Sequence, residues 1–183
     1  GSVYAGTTAL VRSYSHVYGN LLSGTTCTVE SGATVDGYKQ ANASIPAYTI
    51  ATKTVTVGTV NKTVQANGSL TLGPGNYQDL YVGQGGKLYL SAGTYNFRKF
   101  EVYYDAKVYI NISATQAITV NVRDFFAVRD RAKISLTNAT NTAAVGFYVH
   151  HTNFIDIGCD ANVEGCFDVP NGEFRVLSRA YFT

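Results

Sequence analysis

The chain is poor in the residues that build helices, membrane spans and metal sites. Its 183 residues include no Met, only 10 Leu and only 4 Glu, against 20 Val and 21 Thr. β-Branched residues lose rotamer freedom in a helix but fit a pleated surface. No window of eleven or more residues keeps an apolar stripe at helical spacing. Together these absences exclude a helical protein and imply an all-β one. No apolar run approaches the roughly 20 residues of a spanning helix, so no membrane span is expected. There is no signal peptide and no initiator Met. The chain therefore reads as a processed or excised form, with Gly1-Ser2 either native or a cloning scar.

Charge is scarce too. Only 14% of residues are charged and the net charge is +2, where ordinary soluble domains carry about 25% charged residues. No run of Lys and Arg offers a stripe for phosphates, so nucleic acid is not an expected partner. No CxxC or Cys/His spacing suggests zinc, and no G-x-S-x-G elbow activates a serine. His150-His151 would face opposite sides of a strand, and His16 stands alone, so neither a metal nor a cofactor is expected. Of three cysteines, Cys159 and Cys166 flank a turn and are candidates for a disulfide. That pairing leaves Cys27 for an intermolecular bond. Three buried free thiols are the alternative.

An internal repeat is what the sequence does have. Leu72-Gly73-Pro74-Gly75-Asn76-Tyr77 is echoed by Leu90-Ser91-Ala92-Gly93-Thr94-Tyr95. A second cue is a small residue, then a polar one, then alternating apolar positions. It occurs at Gly86-Lys87-Leu88-Tyr89-Leu90, Ala106-Lys107-Val108-Tyr109-Ile110 and Ala132-Lys133-Ile134-Ser135-Leu136, and more weakly at Ala161-Asn162-Val163. Spacings that grow along the chain suit a coil whose corners accept insertions. The expected fold is a single-stranded parallel β-helix, or β-solenoid, with right-handed coiling as the usual outcome. An antiparallel β-sandwich is the alternative. Residues 66–183 form the expected solenoid core. Residues 1–65 are either irregular early turns or an assembly arm, with the alternating Thr52–Val57 stretch suited to pairing with the edge of a neighbouring chain.

Between about residues 70 and 177 the turns resemble those of secreted β-helix proteins of bacterial and archaeal cell surfaces. The residues that carry the resemblance are Pro74, Gly75, Tyr77, Leu80, Val82, Gly85, Gly86, Leu88, Leu90, Gly93, Thr94, Tyr95 and Phe97, closing with Gly165, Pro170-Asn171-Gly172 and Val176. It implies a surface, adhesion or envelope-assembly role and carries no catalytic residues across.

β-Helix enzymes that act on polysaccharides gather carboxylates on adjacent turns. Here Asp124 and Asp130, each preceded by arginine, are the candidates, with Asp156, Asp160 and Asp168 nearby. A surface ion-pair network is the competing reading for the first two, and a weak Ca²⁺ site at Asp156 and Asp160 is unsupported. Tyr77, Tyr81, Tyr95, Tyr103 and Tyr104 are candidates for a sugar-stacking strip or a subunit contact, within a set that also includes Tyr89 and Tyr109. Sequons stand at Asn42, Asn61, Asn67, Asn111 and Asn138, a mild excess that fits a glycosylated surface protein. The favoured function is an extracellular, non-enzymatic structural protein that assembles with itself into a filament, sheath or surface layer. A carbohydrate-binding adhesin that engages cell-surface glycans is the second reading, and a polysaccharide-acting enzyme the third.

Overall fold

The computed structural model of the chain describes residues 2–44, 54–137, 144–150 and 154–183. Within them the chain winds into a β-solenoid of stacked coils, each contributing a short strand to each of three faces. One face runs through β10 (Gly75–Asn76), the first half of β13 (Gly93–Val102), the first half of β15 (Ile118–Val128), β17 (Val145–Val149), β20 (Cys166–Val169), β1 (Val3–Ala5), β4 (Leu21–Ser23) and β7 (Lys39–Gln40). The second runs through β8 (Lys62–Val64), β11 (Asp79–Val82), the second halves of β13 and β15, β18 (Phe154–Ile157), β21 (Glu173–Val176), β2 (Ala9–Val11) and β5 (Cys27–Val29). The third holds β9 (Ser69–Leu72), β12 (Lys87–Ser91), β14 (Lys107–Asn111), β16 (Lys133–Leu136), β19 (Asn162–Val163), β22 (Tyr181–Phe182), β3 (His16–Val17) and β6 (Thr34–Val35). Neighbouring strands pair in parallel on every face, which removes the antiparallel sandwich and leaves the parallel β-helix.

The order of coils in space is not their order in the chain. Val3 pairs with Phe167, Ala9 with Phe174 and His16 with Tyr181, so the first coil sits on the last one. The second coil sits on the first, through Val3 with Leu21 and Ala9 with Cys27. Residues from 54 on lie at the opposite end of the stack, where β8 and β9 begin. They are tied there at Gly58, whose N–H bonds to the carbonyl of Tyr77, and at Val60, whose carbonyl accepts from Gln78.

Strand alternation sets the core. Inward positions stack Val, Ile, Leu and Phe from coil to coil, and buried and exposed residues alternate along strands such as β1 and β12. A column of rings, Phe97, Phe100, Phe126, Phe147, Phe167, Phe174 and Phe182, runs along the axis. Its Phe147–Phe167 pair is stacked at 4.5 Å, and all seven are at most 1% exposed. Contacts of this kind contribute beyond the area they bury.

The corner leading into the third face is the most regular feature. Asn67, Gly85, Asp105, Arg131, Asp160, Arg179, Tyr14 and Gly32 all take a left-handed backbone, with φ between 58° and 75°. The next residue in each coil is Gly68, Gly86, Ala106, Ala132, Ala161, Ala180, Ser15 or Ala33, and its N–H closes a turn onto the carbonyl three residues back. Little space exists inside the corner, so the residue there is small: Ala106, Ala132, Ala161 and Ala180 are fully buried. This is the small-then-polar cue of the sequence. It recurs at Gly68, Ala180, Ser15 and Ala33, so residues 3–35 supply two coils of the same kind.

Candidate functional site

The arginines and the lysines of this solenoid behave in opposite ways. All seven arginines are ion-paired. Six of them reach a carboxylate on the adjacent coil, as in Arg129–Glu101, Arg131–Asp105, Arg175–Asp156 and Arg179–Asp160. Most of these contacts are two-pronged, the geometry for which the guanidinium fork is suited. Hydrogen bonds from Arg131 and Arg179 hold the carboxyls of Asp105 and Asp160 below the usual aspartate range. Arg175 also lies 3.6 Å over the ring of Phe154.

These pairings account for most of the acidic candidates. Asp124 bonds to its chain neighbour Arg123, and Asp130 accepts the N–H of Cys159 at 2.9 Å. Asp156 and Asp160 each face an arginine rather than one another. Asp168 is different. It stands in register between Tyr148 and Tyr4, and burial raises its pKa. His16 bonds to Asp36 at 2.8 Å and stacks on Tyr18. His151 lies outside the described residues, as does Asn138. The other sequon residues, Asn42, Asn61, Asn67 and Asn111, are exposed.

The three cysteines stand as free thiols, Cys159 and Cys166 on either side of β19 and Cys27 on β5. Of the tyrosines, Tyr95 is wholly buried, with its hydroxyl donating to the Leu72 carbonyl at 2.9 Å. Tyr77 is half-buried against Phe97. Tyr81, Tyr103 and Tyr104 do gather, with ring centres 5.3 and 4.9 Å apart, at the edge of the second face. Thr52 and Lys53 are outside the described residues. Thr54, Val55 and Thr56 line a cavity of about 160 Å³ with Asn76, Thr94, Asn96 and Asn121. Val55 is buried there, beside a ladder in which Asn121 donates to Asn96 and Asn96 to Asn76.

The third face holds the arrangement that sequence order conceals. Lys87, Lys107 and Lys133 pair across β12, β14 and β16 to form one outward row, continued by Ser69 and Asn162. Two residues along each strand lies a second row, Thr71, Tyr89, Tyr109 and Ser135. The three lysines are exposed, and among the described residues none of them forms an ion pair. Tyr89 and Tyr109 stack on each other at 5.2 Å and 19°. The absence of a basic run in the sequence thus does not carry over to the surface, because stacking joins residues 20 and 26 positions apart in the chain. The signal was present: each lysine directly follows the small residue of the repeat.

No protein-family model matches the chain, and no curated protein matches it in sequence. Among solved structures, the fold is similar to the ice-binding protein of the Antarctic ascomycete Antarctomyces psychrotrophicus. The TM-score is 0.57 at 13% identity, over 99% of this chain and 92% of that one. The likeness is one of fold, and it runs through the N-terminal coils as well as the rest.

Proposed function

We propose that this chain is an extracellular, non-catalytic module that binds an extended, regularly repeating surface, with cell-surface glycan as the ligand class. The observation that carries the reading is the register of the outward rows. Eight corners stacked at one inter-strand step produce flat faces whose side chains recur at about 4.8 Å, a pattern suited to a polymer or a solid rather than a small molecule. The neighbour in fold is named for binding ice, itself a repeating surface. The turn motifs resemble those of secreted surface proteins of bacteria and archaea, and the exposed sequon residues fit an extracellular setting. Pairing of Asp124, Asp156 and Asp160 with arginine favours structural over catalytic use of those carboxylates. Co-sedimentation with a panel of insoluble polysaccharides, with ice as a further solid phase, tests the reading. Retention by at least one solid, lost on unfolding, is expected; a protein retained by none contradicts it.

Self-assembly is a second reading, favoured by the way coils meet. The first coil seats on the last with no covalent link at that junction, so one chain's end is able to receive another's by the same parallel pairing. The outermost strands β5, β6, β7, β8, β9 and β10 each have one partner strand among the described residues, and Cys27 stands on β5. Negative-stain microscopy with and without reductant decides it: fibres or sheets support assembly, and a monodisperse monomer in every condition rules it out.

A further inference from the structure

We infer that the third face is a binding surface for an acidic polysaccharide, with Lys87, Lys107 and Lys133 as the cation row and the hydroxyls of Tyr89 and Tyr109 as donors beside it. This rests on the proposal that the solenoid binds extended ligands, and it names the face and the ligand class.

Like charges directly opposite one another on neighbouring strands oppose folding. Elsewhere the chain avoids this, since every arginine meets a carboxylate. On the third face three ammonium groups instead follow one another at successive strands, about 5 Å per step. Serine, threonine and asparagine adjoin the row. The carboxylate that follows in the tyrosine row, Glu164, is turned to the amide of Leu136 at 2.7 Å. A row about 10 Å long exceeds a single anion and suits a chain with repeated anionic groups. Lysine suits such a partner because a rotatable point charge accepts varied oxyanion geometry.

The tyrosines narrow the class. Single-stranded nucleic acid is bound by aromatic faces left open for bases to stack on. Here the two rings stack along the row, each covering one face of the other, and Thr71 and Ser135 are the next residues on either side, so edges and phenolic hydroxyls are what the row turns outward. Those groups suit the carboxylates, sulfates and hydroxyls of an acidic polysaccharide.

Binding of soluble polygalacturonate to the whole chain, measured by calorimetry across a salt series, tests the inference, with dextran and oligothymidylate as comparison probes. Polygalacturonate is expected to bind with affinity falling as salt rises, and dextran at least tenfold more weakly. The Lys87→Gln/Lys107→Gln/Lys133→Gln variant should lose at least tenfold in affinity. The Lys62→Gln/Lys99→Gln variant, with the same kind of change on the second face, should stay within twofold. Tyr89→Phe/Tyr109→Phe, which keeps the rings and removes the hydroxyls, should lose a few-fold and gives an independent reading if the triple variant folds poorly. An unchanged triple variant, equal binding of dextran, or tighter binding of oligothymidylate each overturns the inference. If polygalacturonate does not bind while neutral polysaccharides or ice retain the protein, the lysine face is refuted and the extended-ligand proposal stands. Retention by nothing removes both.

Discussion

The second and third faces of the solenoid share one backbone scaffold but use charge for opposite ends. On the second face, and at the corners beside it, arginine meets carboxylate from coil to coil, so six of the seven arginines are neutralised by the coil next to them and Arg123 by its chain neighbour Asp124. On the third face lysine follows lysine. The first arrangement ties coils together, and each exposed pair contributes little alone. The second does nothing for the fold and leaves a positive stripe facing solvent. Position in a coil decides between these outcomes, because stacking multiplies whatever residue a repeat places there.

Both faces depend on the coils being seated, and the largest expected effect tests that dependence. Gly6 lies at the junction of the first and last coils, where an added Cβ would stand 1.7 Å from the Pro170 carbonyl oxygen. Gly6→Val should cost about 3 kcal/mol by forcing backbone apart, seen as a separate early transition in urea. Lys87, Lys107 and Lys133 lie three or more coils away, so polygalacturonate binding should survive until the main transition. Arg175→Ala comes next. It strips Asp156 of its partner and uncovers Phe154, at a cost of about 1.5 kcal/mol by thermal or urea unfolding, with polymer affinity unchanged. Lys107→Gln should do the reverse. Relief of the central like charge should stabilise the chain by about 0.5 kcal/mol at low salt, an increment that salt erases, while polymer binding weakens.

The smallest effects concern pH. The carboxyls of Asp105 and Asp160 sit below their usual value of 3.8. Their folded pKa is depressed, so the stability they contribute is fully present above about pH 4. It is lost as pH falls through their lower folded values. Asp168 has the opposite sign: burial raises its folded pKa, so its charged form opposes folding near neutrality. Asp168→Asn should therefore raise the unfolding midpoint by about 1 °C at pH 7. That gain should shrink as the pH approaches the acid range. Unfolding midpoints between pH 3 and 7 for Asp105→Asn, Asp160→Asn and Asp168→Asn check both signs.

Much of this was legible before the fold was known. The cue at Gly86, Ala106, Ala132 and Ala161 marks a physical corner, and its period gives the parallel coil. The same cue at Ser15-His16-Val17 and Ala33-Thr34-Val35 was harder to see, because polar residues at Arg12, Ser13 and Tyr14 surround it and no long strand follows. That the first coil sits on the last was not legible at all. Register between distant segments depends on inward shape, Val3 on Phe167 and Ala9 on Phe174, and no local pattern encodes it. The ion-pair reading of Asp124 was available because Arg123 adjoins it, whereas Arg131–Asp105 and Arg175–Asp156 needed the coil spacing. Tyr95 is a candidate surface ring by sequence, yet its place in the alternation of β13 turns it inward.

Lysine footprinting by amine acylation, read by mass spectrometry with and without saturating polygalacturonate, compares the two faces in one experiment. Lys87, Lys107 and Lys133 should be protected together, while Lys62 and Lys99 on the second face react as in the free protein. Protection of Lys62 and Lys99, or no protection at the row while the polymer is bound, would contradict the assignment of the third face.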